Sequence, residues 1–145
     1  MAERTEVTQR IEFDCGYLTK NPGAYGYTLQ CCRYKLEVTV DGDERFSTSG
    51  VVIDFATFKK YLTDVVPSHS FLYNTEDTHA QTLAASMDAL GIPTIPLRFA
   101  ISAEKLCHYI ANQLQFTLDQ CEQGVRIKEV RLRENTDSFA TLSLR

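Results

Sequence analysis

Between Cys31 and Val40 the chain alternates without a break: Cys32, Tyr34, Leu36, Val38 and Val40 fall on one face of an extended segment, and Cys31, Arg33, Lys35, Glu37 and Thr39 on the other. A strand with one face on a core and the other in water satisfies that pattern, so the fold is built on a half-buried antiparallel sheet. Residues 5–17 read as its partner. They place Val7, Gln9, Ile11, Phe13, Cys15 and Tyr17 on one face, with the alternation apolar from Ile11 onward. Asn21-Pro22-Gly23 and Gly26 mark an irregular loop between the two, and Asp41-Gly42-Asp43 reads as the turn that ends the second strand.

Helical spacing takes over downstream. Phe55, Phe58, Leu62 and Val65, with Asp54 placed as cap and Pro67 beyond, predict a helix over about 55–66. Ala80, Leu83, Ala84, Met87 and Leu90 predict a second, shorter one ending at Gly91. Pro93 and Pro96 frame a short extended piece, 94–100, confined to an edge or a connector. Ser102 caps the longest helix, about 103–120, whose stripe is Leu106, Ile110, Leu114 and Thr117. Two strands close the chain, about 125–134 and 139–144. In the first, Val125 and Ile127 are odd-numbered but Val130 and Leu132 are even, which requires a bulge near Lys128-Glu129 and turns Glu134 towards the buried side. The order β-β-α-α-(short β)-α-β-β describes one α+β domain, residues 1–145, with helices packed on one face of an antiparallel sheet.

The 145 residues carry 15 Lys+Arg against 19 Asp+Glu, a formal charge of −4. A net negative chain with no long basic block is a poor binder of nucleic acid, so small molecules or protein partners are expected. No apolar stretch reaches the length of a membrane span and none follows the charged start Met1 to Glu6, so no membrane contact and a cytoplasmic location are expected. The five cysteines follow no C-x-x-C spacing, and the three histidines, His69, His79 and His108, form no metal-binding string. His79 and His108 read as helix-surface residues.

The run Ser49-Gly50-Val51-Val52-Ile53-Asp54-Phe55, followed by Lys59-Lys60-Tyr61-Leu62, resembles the strand-to-helix signature of the 6-pyruvoyltetrahydropterin synthase and 6-carboxytetrahydropterin synthase family. His69-Ser70-Phe71-Leu72-Tyr73-Asn74, Ser102-Ala103-Glu104-Lys105-Leu106 and Arg133-Glu134-Asn135-Thr136 extend the resemblance over about residues 10–140. It implies the tunnelling fold: a four-stranded antiparallel sheet with helices on one face, assembled through sheet edges into barrels as trimers or hexamers. It also implies a pterin site between subunits.

Members of that family hold zinc with three histidines, which polarise the substrate as a Lewis acid does. Laid on this sequence, those positions are Tyr17, Gln30 and Cys32. The family's catalytic cysteine falls on Gly26, and in its Asp-His proton relay the aspartate falls on Ser68 while His69 stays. The resemblance thus implies a divergent member without the zinc histidines, for which no zinc or other cofactor is expected. Cys15, Cys32 and Tyr17 could still form an unusual donor set, but small side chains filling the space left by the metal are the simpler expectation. Glu134 matches the carboxylate that holds the pterin ring, with Thr136 close by. The expected ligand-binding residues are therefore Glu134, Thr136, Tyr17, Gln30 and Cys32, with His69 as a weakened catalytic candidate. Tyr17, Tyr25 and Tyr27 either stack on a ring or fill the former metal loop. A pterin- or purine-like ligand on a homo-oligomer is expected. A lyase acting on dihydroneopterin triphosphate through an altered metal site, and a purely structural ring, are the alternatives.

Overall fold

The computed structural model describes residues 3–23, 26–43, 45 and 49–144. β1 (Thr5–Lys20) and β2 (Tyr27–Gly42) pair antiparallel in unbroken register, from Thr5 opposite Gly42 to Lys20 opposite Tyr27. The register sets Phe13 against Tyr34 and Cys15 against Cys32, so both apolar faces fall on one side of the sheet. β2 runs on through Asp41 and Gly42, where the sequence predicts a turn. A Cβ on Gly42 would stand 2.8 Å from Val52 Cγ1, so only glycine lets the strand pass beneath the following segment.

Two helices cover this face. In α1 (Phe55–Val65), Asp54 Oδ2 accepts the Thr57 N–H at 3.1 Å, and Phe58 and Leu62 are buried. Phe55, expected in the same stripe, is 64% exposed: helical side chains lean towards the N-terminus, and that of a first-position residue reaches past the packed surface. Ahead of the long helix, Ala103–Cys121, Ser102 Oγ accepts the Lys105 N–H, and Leu106, Ile110, Leu114 and Leu118 are fully buried.

Between these helices the structure departs from the sequence expectation. Residues Ser70–Asn74 form β3, Thr78–Ala89 form α2 and Thr94–Leu97 form β4; Ala103–Cys121 is therefore α3. β3 pairs parallel with β1 at Cys15 to Tyr17, and β4 pairs parallel with β3. With β5 (Arg126–Arg133) and β6 (Phe139–Ser143) the sheet has six strands, ordered β4-β3-β1-β2-β5-β6, in place of four, and it is mixed in place of antiparallel.

Nor do all helices share a face. α2 lies across the opposite side of the sheet from α1 and α3. Its His79 bonds to Tyr27, and its Met87 lines a groove with Gly16, Leu29 and Cys31, all on the face turned away from the core. β3 is thereby covered on both sides, Phe71 on one and Leu72 on the other, both buried. A strand buried on both faces shows no alternation, which is why the sequence pattern missed it.

The expected bulge is present. Thr39 pairs with Glu129 but Val40 with Ile127, leaving Lys128 as the extra residue. It lies beside an ion-pair cluster that ties β2 and the strand after α3 to the segment before β1: Asp41 is 3% exposed, Arg4 Nε and Arg126 Nε donate to its Oδ1 at 2.7 and 2.9 Å, and Lys128 Nζ stands 4.0 Å from Oδ2. Burial alone would push this carboxyl up. The hydrogen bonds and charges of Arg4 and Arg126 outweigh burial and hold it below its ordinary range.

Asp41→Asn is expected to lower unfolding stability at neutral pH by about 2 kcal/mol, the scale of a hydrogen bond to a charged group. Because the folded carboxyl titrates lower than the unfolded one, this contribution is complete above about pH 5 and fades as pH falls through the folded value. Denaturant unfolding of both proteins across that range checks the amount and the convergence in acid.

Candidate functional site

The β1–β2 register places Tyr17 directly opposite Gln30, and Cys15 opposite Cys32, all facing α1 and α3. Tyr17 and Tyr34 are buried, and their hydroxyls meet at 3.2 Å. Glu134 follows β5, its N–H bonded to Ser138 O, while Asn135 Oδ1 accepts the Asp137 and Ser138 N–H groups to close the turn into β6. This brings the half-buried Glu134 carboxylate to Cys32, whose Sγ donates to Oε1 at 3.6 Å.

Charge and burial act together here. Burial first, then the neighbouring Cys32 and Asp14, push the Cys15 thiol up to about 12. Burial followed by the charge and hydrogen bond of Glu134 raises Cys32, and burial raises Tyr17 and Tyr34. These groups stay protonated at neutral pH. Zinc needs deprotonated thiolates or neutral imidazoles, and no group of three His, Cys, Asp or Glu side chains converges among the described residues. The side chains at the three expected positions do not fit the metal.

Glu134 forms a wall of two cavities. One, of about 490 Å³, lies between α3 and β6, bounded by Ala103, Glu104, Cys107, His108 and Phe139 to Leu142. The other, of about 360 Å³, is lined by Arg33, Lys35, Arg133, Asn135 and Thr136. Thr136 is exposed, and its carbonyl accepts from Arg133 Nη1 at 3.3 Å.

The chain matches known proteins along nearly its whole length. The family model for 6-pyruvoyl tetrahydropterin synthase matches residues 6–144. The chain belongs to that family. It is 24% identical over 139 residues to the 6-carboxy-5,6,7,8-tetrahydropterin synthase of Haemophilus influenzae, covering 92% of this chain and 95% of the relative. Two solved structures share the fold. An uncharacterized protein of Wolinella succinogenes superposes with a TM-score of 0.77 at 16% identity, over 99% of this chain and 100% of that one. The 6-pyruvoyl tetrahydropterin synthase of Plasmodium vivax does so with a TM-score of 0.67 at 17% identity, over 97% and 98%.

Within this family fold, Tyr17, Cys32 and Glu134 act on one another, Gln30 stands opposite Tyr17 in the register, and Thr136 lines the smaller cavity with Glu134. His69 stands apart from Glu134, exposed at the head of β3 and lining the groove on the opposite face. Tyr25 lies outside the described residues. Tyr27 is turned to α2, where its hydroxyl meets His79 Nδ1 at 3.0 Å and Asp77 Oδ1 at 3.5 Å. Tyr34 is the member that sequence reasoning passed over as core; its even-numbered place in β2, facing Phe13 and neighbouring Tyr17, was the available signal.

Tyr34→Phe leaves the buried Tyr17 hydroxyl without its partner and is expected to cost about 1–2 kcal/mol. Removing both hydroxyls together is expected to cost less than the sum of the two single changes. A double-mutant cycle on urea unfolding measures that coupling.

Proposed function

We propose that this protein binds a pterin- or guanine-like heterocycle through Glu134 and carries out no zinc-dependent catalysis. The observation that carries this reading is the state of Glu134: a half-buried carboxylate on the wall of a 490 Å³ cavity, with a weak thiol donor at 3.6 Å. A carboxylate so placed has acceptor capacity for two parallel N–H donors, the pattern shown by the amino and ring N–H groups of a 2-aminopyrimidinone. Cys32 lies against the carboxylate from β2, and Thr136 lines the smaller cavity on its other side.

The protein acts as a cytoplasmic homo-oligomer in this reading. β6 is an outer strand, and among the described residues β1 meets β3 only from Cys15 to Tyr17, so along residues 6–13 its outer edge faces no other strand of the sheet. Edge-to-edge pairing of copies would satisfy both. A second reading, a lyase of the 6-carboxytetrahydropterin synthase type with an altered metal site, is favoured by the match to the Haemophilus influenzae enzyme over nearly the full length of both chains.

Guanine or pterin at a hundredfold excess over its dissociation constant is expected to raise the melting temperature by about 5–10 °C, and Glu134→Ala to abolish the shift. No shift with either compound overturns the binding reading. Stoichiometric zinc in the purified protein, lost on Cys32→Ser, would overturn the metal-free reading in favour of the lyase. Light scattering is expected to return three or six times the 16.4 kDa chain mass; a monomer rules out the ring.

A further inference from the structure

The face of the sheet turned away from α1 and α3 carries charges of both signs, and its ion pairs leave two cations over. Arg10 pairs with Glu37 at 3.5 Å, Arg33 with Glu12 and Asp14 at 3.4 and 3.1 Å, and Arg131 with Glu129 at 3.1 Å. Lys35 and Arg133 form no ion pair among the described residues. Yet they stand directly opposite each other in the β2–β5 register. Like charges so placed, about 5 Å apart at Cβ, destabilise a sheet. Glu12 lies opposite Lys35 on the β1 side, but its carboxylate is taken up by Arg33. Arg133 is held by neutral groups: its Nη1 donates to Thr136 O at 3.3 Å, and its guanidinium lies 4.5 Å from the centre of the Phe139 ring. Those contacts fix the guanidinium without neutralising it.

The two cations open on the same space. With Arg33 they line the 360 Å³ cavity, and all three also border a second one of about 700 Å³, where Arg10 joins them. The carboxylates on these walls are engaged: Glu134 accepts from Cys32, and Glu12 and Glu37 are in ion pairs. A hollow with uncompensated positive charge on a chain of net charge −4 calls for an anion.

We propose that Lys35 and Arg133 hold one phosphate group between them, either free phosphate or a phosphate monoester. The guanidinium offers parallel N–H donors to two of its oxygens, and the ammonium meets a third as a point charge. The anion converts a repulsive cross-strand pair into two attractive contacts. This site stands on residues separate from the Glu134 reading and does not depend on it.

Isothermal titration calorimetry with inorganic phosphate, at constant ionic strength, is expected to show one site per chain. Lys35→Gln and Arg133→Gln are each expected to weaken it about tenfold or more, the effect of losing a hydrogen bond between charged groups. Lys105→Gln makes the same change of charge on α3, across the sheet, and is expected to leave the affinity unaltered. Glu134→Ala is expected to keep phosphate binding while losing any heterocycle, so the two readings fail separately. Without phosphate, Lys35→Gln is expected to raise the melting temperature by about 1–3 °C, because it removes the like-charge pair; phosphate then raises that of the unmodified protein and not that of the variant. Methyl phosphate separates the two sources: it binds as tightly as phosphate where the ligand is a monoester, and about tenfold more weakly where it is the free anion. Circular dichroism confirms that each variant is folded. No binding of either compound, binding that Lys35→Gln leaves intact, or an equal loss in Lys105→Gln overturns the proposal.

Discussion

The long β1–β2 ladder is the constraint on which the rest depends. Its unbroken register assigns every side chain in two strands to one of two faces, and a slip of one residue would exchange the core for the solvent face. With the register set, Phe13, Tyr34, Leu36 and Val38 meet α1 and α3, while Gly16, Leu29, Cys31 and Arg33 line the other side. The candidate site follows from this parity: Tyr17, Gln30 and Cys32 share one face of the ladder, and Cys31, between two of them in sequence, is on the other.

The bulge at Lys128 extends the same logic to β5. Without the bulge, Val130 and Leu132 would fall on the face opposite Val125 and Ile127, and the carboxylate of Glu134 would leave the Cys32 side of the sheet with them. The ion-pair cluster around Asp41 sits beside that bulge and joins the segment before β1 to the ends of β2 and β5. A local irregularity in one strand and a buried carboxylate in another thus act together on a site at the far end of the strands.

Membership of the 6-pyruvoyl tetrahydropterin synthase family accounts for the architecture more directly than for the chemistry. Where the resemblance places imidazoles, the structure holds a phenol bonded to a second phenol, an amide, and a thiol bonded to a carboxylate. Burial raises the phenol and the thiol above their ordinary values, and an amide is a weak zinc donor, so the set lacks the three imidazoles of the resemblance. The carboxylate of Glu134, proposed to recognise a ring, stands beside Cys32. Recognition requires a few oriented acceptors, whereas metal chemistry requires several donors converging in the right protonation state.

Sequence alone determined the paired strands, their inward faces, the caps at Asp54 and Ser102, the bulge and the inward phase of Glu134, because each is written in residues adjacent or regularly spaced along the chain. It misplaced Phe55, ended β2 too early and passed over β3. Those depend on what lies above a residue: the lean of a first-turn side chain, Val52 closing over Gly42, and α2 covering Phe71. Only tertiary structure decided that α2 crosses to the other face, that the sheet has six strands and is mixed, and that His69 shares a groove with Cys31 and not with Glu134. Parallel pairing joins segments more than fifty residues apart, and no local periodicity records which distant strand a short apolar run will meet.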